Sequence, residues 1–264
     1  MVKRLHKYAK IVLINLIRDY SSYKIRKRPN LYELNHYVDV IFTQLRTGGQ
    51  WCEIESKCHF STYHKKFIEW SRAGLFEMAH EILIKTIHKL KFIPKKDISL
   101  LSIDSSMVKN NRGCDGIGSN HYDRYRNATK VSVVVTDKGI PLGFSFAGAN
   151  VHDTKMVNDN LNKIKIIGSR LLADKGYNSY KLKTKLKQTY KINLIYPLKK
   201  NQKNKYFSKS ELKKLKGRTI VENYFAWMKS FHRLLIRYDT YLINYASFCY
   251  LGAIDIICNK LFQG

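Results

Sequence analysis

Three acidic residues stand where they could hold a divalent metal ion: Asp104, Asp174 and Glu222. Asp104 follows the apolar run Leu100-Leu101-Ser102-Ile103, which is long enough for a buried strand. Removing an isolated carboxylate from water costs free energy unless it is paired, hydrogen-bonded or bound to a cation. Taken alone, Asp104 either caps the turn after this strand or holds a metal ion, and partners elsewhere must decide.

Asp174 offers such a partner, because it follows a second predicted strand, Arg170-Leu171-Leu172-Ala173. In Asp174-Lys175-Gly176 it is also compatible with a plain turn. If the two strands are neighbours in a sheet, their C-terminal ends share one crevice. Three carboxylates there would clamp two divalent ions roughly 3.5–4 Å apart, as phosphoryl transfer on DNA requires. Hard carboxylate oxygens favour Mg²⁺ or Mn²⁺ over zinc.

Glu222 lies on a helix predicted to follow Gly217 and to bury the stripe Val221, Tyr224, Met228, Phe231 and Leu235. On another face Arg218, Glu222 and Lys229 fall at i, i+4 and i+11, within about 40° of one another. This helix would therefore present an acid between two bases. Alternatively, Thr219 and Glu222 form a capping box, and Glu222 only satisfies the start of the helix.

Strands and helices alternate in the part of the chain that carries these residues. We predict strands ending at Asp104 and spanning 129–136, 140–146, 170–173 and 192–197, with a hairpin turn at 137–139 and helices after Asp153 and over 181–190. This order predicts an α/β fold, a mixed five-stranded sheet with flanking helices. Before it, helical periodicity predicts four helices. We therefore expect a small all-helical N-terminal domain over 1–96, to which we assign DNA binding, and a catalytic domain over 97–264.

The charge of the chain indicates a polyanionic partner. Lys and Arg outnumber Asp and Glu by 48 to 20, a net charge of +28, which favours nucleic acid before a membrane surface. From Lys181 to Arg218 there are 14 basic residues and one acid, Glu211. This run is either a solvated face or a track for the DNA backbone, in which Lys199, Lys200 and Lys203 would contact phosphates.

Five cysteines, an odd number without a Cys-x-x-Cys pair, indicate free thiols in a reducing compartment. No segment reaches the roughly 20 apolar residues typical of a membrane span, so we expect no membrane partner. In a bacterial host the chain would be cytoplasmic and associated with the nucleoid.

Several motifs, in order, resemble the Asp-Asp-Glu (DDE) transposases of bacterial insertion sequences, in the branch with a Tyr-Arg-Glu-Lys signature. They are Leu45-Arg46-Thr47-Gly48-Gly49-Gln50-Trp51, Phe67-Ile68-Glu69-Trp70, Ile103-Asp104-Ser105-Ser106, 137–142, Val151-His152-Asp153, Ala173-Asp174-Lys175-Gly176-Tyr177, Arg218-x₃-Glu222-x₆-Lys229 and 233–238. Leu215 stands where the signature has tyrosine. The resemblance implies a ribonuclease-H-like fold for the catalytic domain.

The resemblance also implies roles. Asp104, Asp174 and Glu222 would hold two Mg²⁺ ions, or Mn²⁺, that activate water or a DNA 3′-hydroxyl for attack on a phosphodiester. Arg218 and Lys229 would contact phosphates beside the scissile bond. His152 and Asp153 would support the site or merely cap a helix. The partner would be double-stranded DNA, the element ends and the target, bound by a homodimer.

The implied function is metal-dependent DNA cleavage and strand transfer at the ends of an insertion sequence. Two alternatives stay open from the sequence. One is a nuclease or resolvase on the same fold, which hydrolyses DNA without joining it. The other is a domesticated remnant that binds DNA without activity.

Overall fold

The computed structural model describes residues 5–25, 31–54, 58–92, 98–164, 167–198 and 207–262. In chain order its elements are α1 Lys7–Ile25, α2 Leu31–Thr47, α3 Phe60–Arg72, α4 Leu75–Lys89, β1 Leu100–Asn110, β2 Gly118–Asn120, β3 Arg126–Thr136, β4 Pro141–Gly148, α5 Asp153–Ile164, β5 Arg170–Leu172, α6 Tyr180–Tyr190, β6 Asn193–Ile195, α7 Lys209–Lys214, α8 Thr219–Met228, β7 Ile236–Arg237 and α9 Leu242–Phe262.

These elements form two compact units that are discontinuous in sequence. Unit 1 comprises Met1–Phe92, Asn111–Asp115 and Trp227–Gly264, and unit 2 comprises Ile93–Asn110 and Gly116–Ala226. This division differs from the predicted domains, because the C-terminal helix α9 packs on α4 and α3. A helix this apolar must bury all its faces, and the N-terminal helices supply the surface. The assignment of residues 1–96 to DNA binding stays a prediction.

Unit 1 is a helical unit built around α9. Phe248 of α9 stacks on Phe67 of α3 with ring centroids 4.3 Å apart, and Trp70 is also buried there. Contrary to the expectation from the sequence, α9 is long and apolar enough to cross a membrane, but 83% of its apolar window is buried within the structure. Such burial is typical of the core helix of a globular unit.

Unit 2 is built on a mixed sheet with strand order β2-β3-β1-β5-β6, and β4 also pairs with β3. The pairs β1–β3 and β3–β4 are antiparallel, whereas β1–β5 and β5–β6 are parallel. The β-branched run Val133–Val135 in β3 is fully buried, because α5 packs on β3 and β4. The predicted α/β fold is therefore confirmed. The hairpin turn predicted at 137–139 joins β3 to β4, and Gly139 in it has a φ of +71°, which favours glycine.

Two predicted boundaries were wrong. Strand β1 does not end at Asp104 but continues to Asn110, because its second half pairs with β3 as far as Lys109↔Ala128. Cross-strand pairing thus overrides the weak strand preference of the serines. Helix α8 ends at Met228 rather than at Leu235. There the Ser230 hydroxyl donates to the Trp227 carbonyl at 2.7 Å, which replaces a helical hydrogen bond.

Candidate active site

Asp104 and Asp174 lie at the same level on neighbouring parallel strands. The pairing of β1 with β5 runs from Leu100↔Arg170 to Ser102↔Leu172. Asp104 and Asp174 each stand two residues beyond that last pair, where the two strands separate. Adjacent strands are about 4.8 Å apart, so both carboxylates reach the crevice that opens there. The condition for a shared crevice, that these two strands are neighbours, is therefore met.

Asp104 is held by two hydrogen bonds, and its pKa is perturbed. Its Oδ1 accepts the backbone N–H of Ser105 at 2.8 Å, and its Oδ2 accepts Arg218 Nη1 at 3.1 Å. Burial raises the pKa of Asp104, while the Ser105 N–H and the Arg218 charge oppose that rise. The negative charges of Asp174 and Glu222 raise the pKa further. The three predicted acids are therefore close enough for each charge to act on Asp104.

Arg218 joins Glu222 to this group. Its Nη2 contacts Glu222 Oε1 at 2.8 Å while Nη1 holds Asp104, so one guanidinium bridges two carboxylates. Arg218 lies in a 3₁₀ segment, Leu215–Arg218, immediately before α8. The capping box was the alternative for Thr219 and Glu222; in its place Glu222 pairs with Arg218, and the Thr219 hydroxyl donates to the Lys216 carbonyl.

The predicted common face of Arg218, Glu222 and Lys229 holds only for the first two. Lys229 lies in the turn after α8, because the helix ends one residue earlier. It belongs to unit 1, whereas Arg218 and Glu222 belong to unit 2. Lys199, Lys200 and Lys203 lie outside the described residues.

Whether these residues fit a divalent metal depends on chemistry and on geometry. The donor set, three carboxylates at one crevice, is the hard-oxygen set that Mg²⁺ and Mn²⁺ prefer. Within the described ranges no cluster of three acidic, histidine or cysteine side chains is already arranged around an ion position. Instead the positive charge of Arg218 lies between Asp104 and Glu222. The chemistry therefore fits, provided that Arg218 releases these oxygens.

A buried ion pair supports the segment that carries Asp104. Asp153 Oδ1, at the start of α5, accepts the Ser105 hydroxyl at 2.7 Å and lies 3.0 Å from Lys130 Nζ. The Lys130 side chain is only 5% exposed, and its ammonium also donates to the Val151 carbonyl at 2.6 Å. Ser105 is thus held through its side chain, and its backbone N–H holds Asp104.

The same aspartate faces the segment that follows Asp174. A Cβ placed on Gly176 would lie 3.9 Å from Asp153 Oδ2. Tyr177 is buried in the 3₁₀ turn Lys175–Tyr177, and burial, then the charges of Asp153 and Asp104, raise its pKa far above the usual range. Asp153 therefore contacts or lies beside both aspartate-bearing segments. From the sequence, Asp153 was predicted only to support the site or to cap a helix. No role was predicted for Lys130, because it is a single charged residue before a run of valines.

Residues 95–251 match the transposase DDE domain family, more than half of the chain. The chain belongs to this family. The predicted DDE transposase superfamily and its ribonuclease-H-like α/β fold are thereby confirmed. A search of curated proteins gave no match.

Solved transposase structures resemble the chain distantly. The piggyBac transposase in a synaptic complex with hairpin DNA is 11% identical with a TM-score of 0.45, covering 97% of this chain and 64% of its own. A pre-cleavage Mos1 transpososome is 6% identical with a TM-score of 0.29, covering 86% and 96%. A Mos1 mariner paired-end complex with Mn is 9% identical with a TM-score of 0.27, covering 86% and 94%. The chain thus spans about two thirds of the piggyBac chain, and such scores carry no argument about activity.

Proposed function

We propose that this chain is the transposase of a bacterial insertion sequence, of the Tyr-Arg-Glu-Lys branch, and that it cleaves and joins DNA at the ends of its element. The observation that carries the proposal is the equal depth of Asp104 and Asp174 on two neighbouring parallel strands, with Glu222 joined to Asp104 through Arg218. Membership of the DDE family supports it, and the net charge of +28 supports DNA as the partner.

In this proposal Asp104, Asp174 and Glu222 hold two Mg²⁺ or Mn²⁺ ions. When bound, such ions activate the attacking oxygen and stabilise the leaving oxygen of an in-line displacement at phosphorus. The protein supplies the placement: two strand ends fix the aspartates, and the Ser105 N–H orients one oxygen of Asp104. On release from its two carboxylates, Arg218 is free to contact a DNA phosphate, for which its planar fork is suited.

The remaining parts of the proposal concern DNA binding and assembly. Lys229 and the run that includes Lys199, Lys200 and Lys203 contact phosphates of the element ends and of the target. A homodimer on DNA would hold the two ends together. The charge of the chain is the observation that supports these contacts.

The test uses DNA that carries the inverted repeats flanking the gene in its genome. With Mg²⁺ or Mn²⁺ we expect strand cleavage at the repeat ends and joined products, which a simple nuclease would not form. Asp104→Asn and Asp174→Asn should abolish both while DNA affinity is retained. Asp159→Asn is the matched control, because Asp159 is an exposed acid of α5. Unchanged cleavage by the Asp104→Asn chain would refute the metal site, and cleavage without joining would favour the nuclease alternative.

A further inference from the structure

The hairpin between β2 and β3 exposes an aromatic and basic tip, His121-Tyr122-Asp123-Arg124-Tyr125-Arg126. Tyr122 is 91% exposed and Tyr125 is 68% exposed. Both arginines of the tip are exposed as well. Tyrosine and arginine are the residues that most often carry the energy of a binding interface, because they offer a flat face and a fixed fork of donors.

The tip is held in shape by its own backbone. The side-chain oxygen of Asn120 accepts the N–H of Tyr122 at 3.0 Å. The Asn120 carbonyl accepts the N–H groups of Asp123 at 3.1 Å and Tyr125 at 3.0 Å. Because Asn120 is itself buried, these bonds anchor the turn to the sheet. The two tyrosines are therefore presented on a built support.

The turn also holds two successive residues in a backbone conformation that favours glycine. Arg124 has a φ of +48° and Tyr125 a φ of +58°. Residues other than glycine and asparagine rarely adopt this backbone region, and placing them there lowers the stability of the protein. Glycine would serve the turn better, so the side chains of Arg124 and Tyr125 are present at a cost to the fold. Strain of this kind is typical of segments that present side chains to a ligand.

The sheet fixes the distance from the tip to the carboxylates. Asp104 pairs with Val133 of β3, and Arg126 at the other end of β3 pairs with Asn120. The seven residues from Val133 to Arg126 span about 23 Å at about 3.3 Å per residue. A DNA strand rises about 3.4 Å per nucleotide. DNA at the carboxylates would therefore reach the tip about seven nucleotides away.

We propose that this tip binds unpaired bases of a DNA strand, with Tyr122 and Tyr125 stacking on the bases and Arg124 and Arg126 contacting the adjacent phosphates. Stacking on an aromatic ring needs an exposed base face, which a paired duplex interior does not offer, and it tolerates any base. The proposal deepens the proposed function and rests on it, since it takes DNA at Asp104 as the reason for a strand near the tip.

Fluorescence anisotropy with two labelled DNAs tests the proposal, in the presence of a chelator so that cleavage plays no part. One DNA is a blunt duplex, and the other is the same duplex with a single-stranded extension of about six nucleotides. We expect the wild-type chain to prefer the extended DNA. Tyr122→Ala should lower affinity for the extended DNA by about 5- to 150-fold, the equivalent of one stacked base, and leave blunt-duplex affinity unchanged. Tyr122→Phe should retain the preference, because it keeps the ring.

Two control variants separate this role from fold effects. Ile167→Ala removes another exposed apolar side chain, 71% exposed, three residues before β5, a strand that β1 separates from β3 in the sheet, and should change nothing. Arg124→Gly and Lys191→Gly each remove one positive charge and one left-handed non-glycine residue, since Lys191 has a φ of +55°. Both should raise the melting temperature, but only Arg124→Gly should lower the ratio of extended to blunt affinity.

The outcomes distinguish the two proposals. A wild-type chain that binds neither DNA would refute the transposase proposal itself. Equal binding of both DNAs, unchanged by Tyr122→Ala, would refute only the role of the hairpin tip. An equal loss on both DNAs would also refute it, because the tip would then contribute through general phosphate contact and not through unpaired bases.

Discussion

Replacing Asp153 with asparagine should leave the ammonium of Lys130 charged, buried and without its carboxylate. Nζ and Oδ1 are 3.0 Å apart, which at an effective dielectric constant of about 20 corresponds to a Coulomb attraction of about 5.5 kcal/mol, largely offset by desolvation. Removing one partner of a buried pair costs about 3–5 kcal/mol. Asp153 is 27% exposed, and Lys130 keeps the Val151 carbonyl. We therefore expect the lower end, about 3 kcal/mol.

Thermal unfolding of a double-mutant cycle measures this value. At about 2–4 °C per kcal/mol for a chain of this size, Asp153→Asn should lower the melting temperature by about 6–12 °C. Lys130→Met removes the cation at similar volume, so the double variant should recover a coupling free energy of at least about 2 kcal/mol. Additive single effects, within about 0.5 kcal/mol, would refute the pair as a unit of the fold.

The same variants test whether the pair positions Asp104. Loss of the carboxylate loosens Ser105, whose backbone N–H orients Asp104, and changes to the partners of a ligand typically cost about 10- to 100-fold in metal affinity. A Mn²⁺ titration of Asp153→Asn should show such a loss, whereas Asp159→Asn, the same change at an exposed position of α5, should not. A folded Asp153→Asn chain with wild-type Mn²⁺ affinity would show that the pair supports the sheet and does not position the acid.

Three further predictions concern the carboxylates and the basic run. Burial raises the pKa of Asp104, so ionisation lowers the free energy of unfolding as pH rises from the ordinary Asp pKa to the raised one, and the loss is complete above it. Asp104→Asn should therefore be more stable than wild type at pH 7, by about 1.4 kcal/mol per pKa unit of elevation. The free energies of unfolding of both chains, measured from pH 3 to pH 8, check this. The difference between them must shrink at low pH, where Asp104 of the wild type becomes protonated. Glu222→Gln keeps an oxygen for Arg218 and should leave the melting temperature almost unchanged while it lowers cleavage by orders of magnitude; near-normal cleavage would place the third acid elsewhere. Replacing Lys199, Lys200 and Lys203 with glutamine should flatten the slope of log K for DNA binding against log salt concentration, by roughly 0.9 for each lost phosphate contact. An unchanged slope would show that the run from Lys181 to Arg218 is only a solvated face.

The sequence predicts the framework of unit 2 well, for a physical reason. A β-branched run such as Val133–Val135 has no stable alternative to a buried strand, and Asp137-Lys138-Gly139 has the composition that a tight turn requires. The placement of Asp104 and of Asp174, each after an apolar run, follows from a local pattern as well. These features depend on neighbours in sequence.

The features that the sequence did not predict depend on distant partners. The continuation of β1 past Asp104 requires β3, which pairs with the serines that should have ended it. Lys130 looks like an exposed charge until Asp153, 23 residues later in the chain, is brought against it. The bridge from Arg218 to Asp104 spans 114 residues, so spacing alone could relate Arg218 only to Glu222.

Arg218 explains how three acids can be kept together at one crevice. The charges of Asp174 and Glu222 both disfavour ionisation of Asp104, so the group is unstable without positive charge. One guanidinium satisfies Asp104 and Glu222 at once, which the single ammonium of a lysine could not do with the same geometry. Glu222 is half exposed, so its contact with Arg218 is the weaker one and the easier to exchange for another cation. On the proposed function, the same arginine would balance the acids in the absence of metal ions and would be available to a phosphate when the acids hold them.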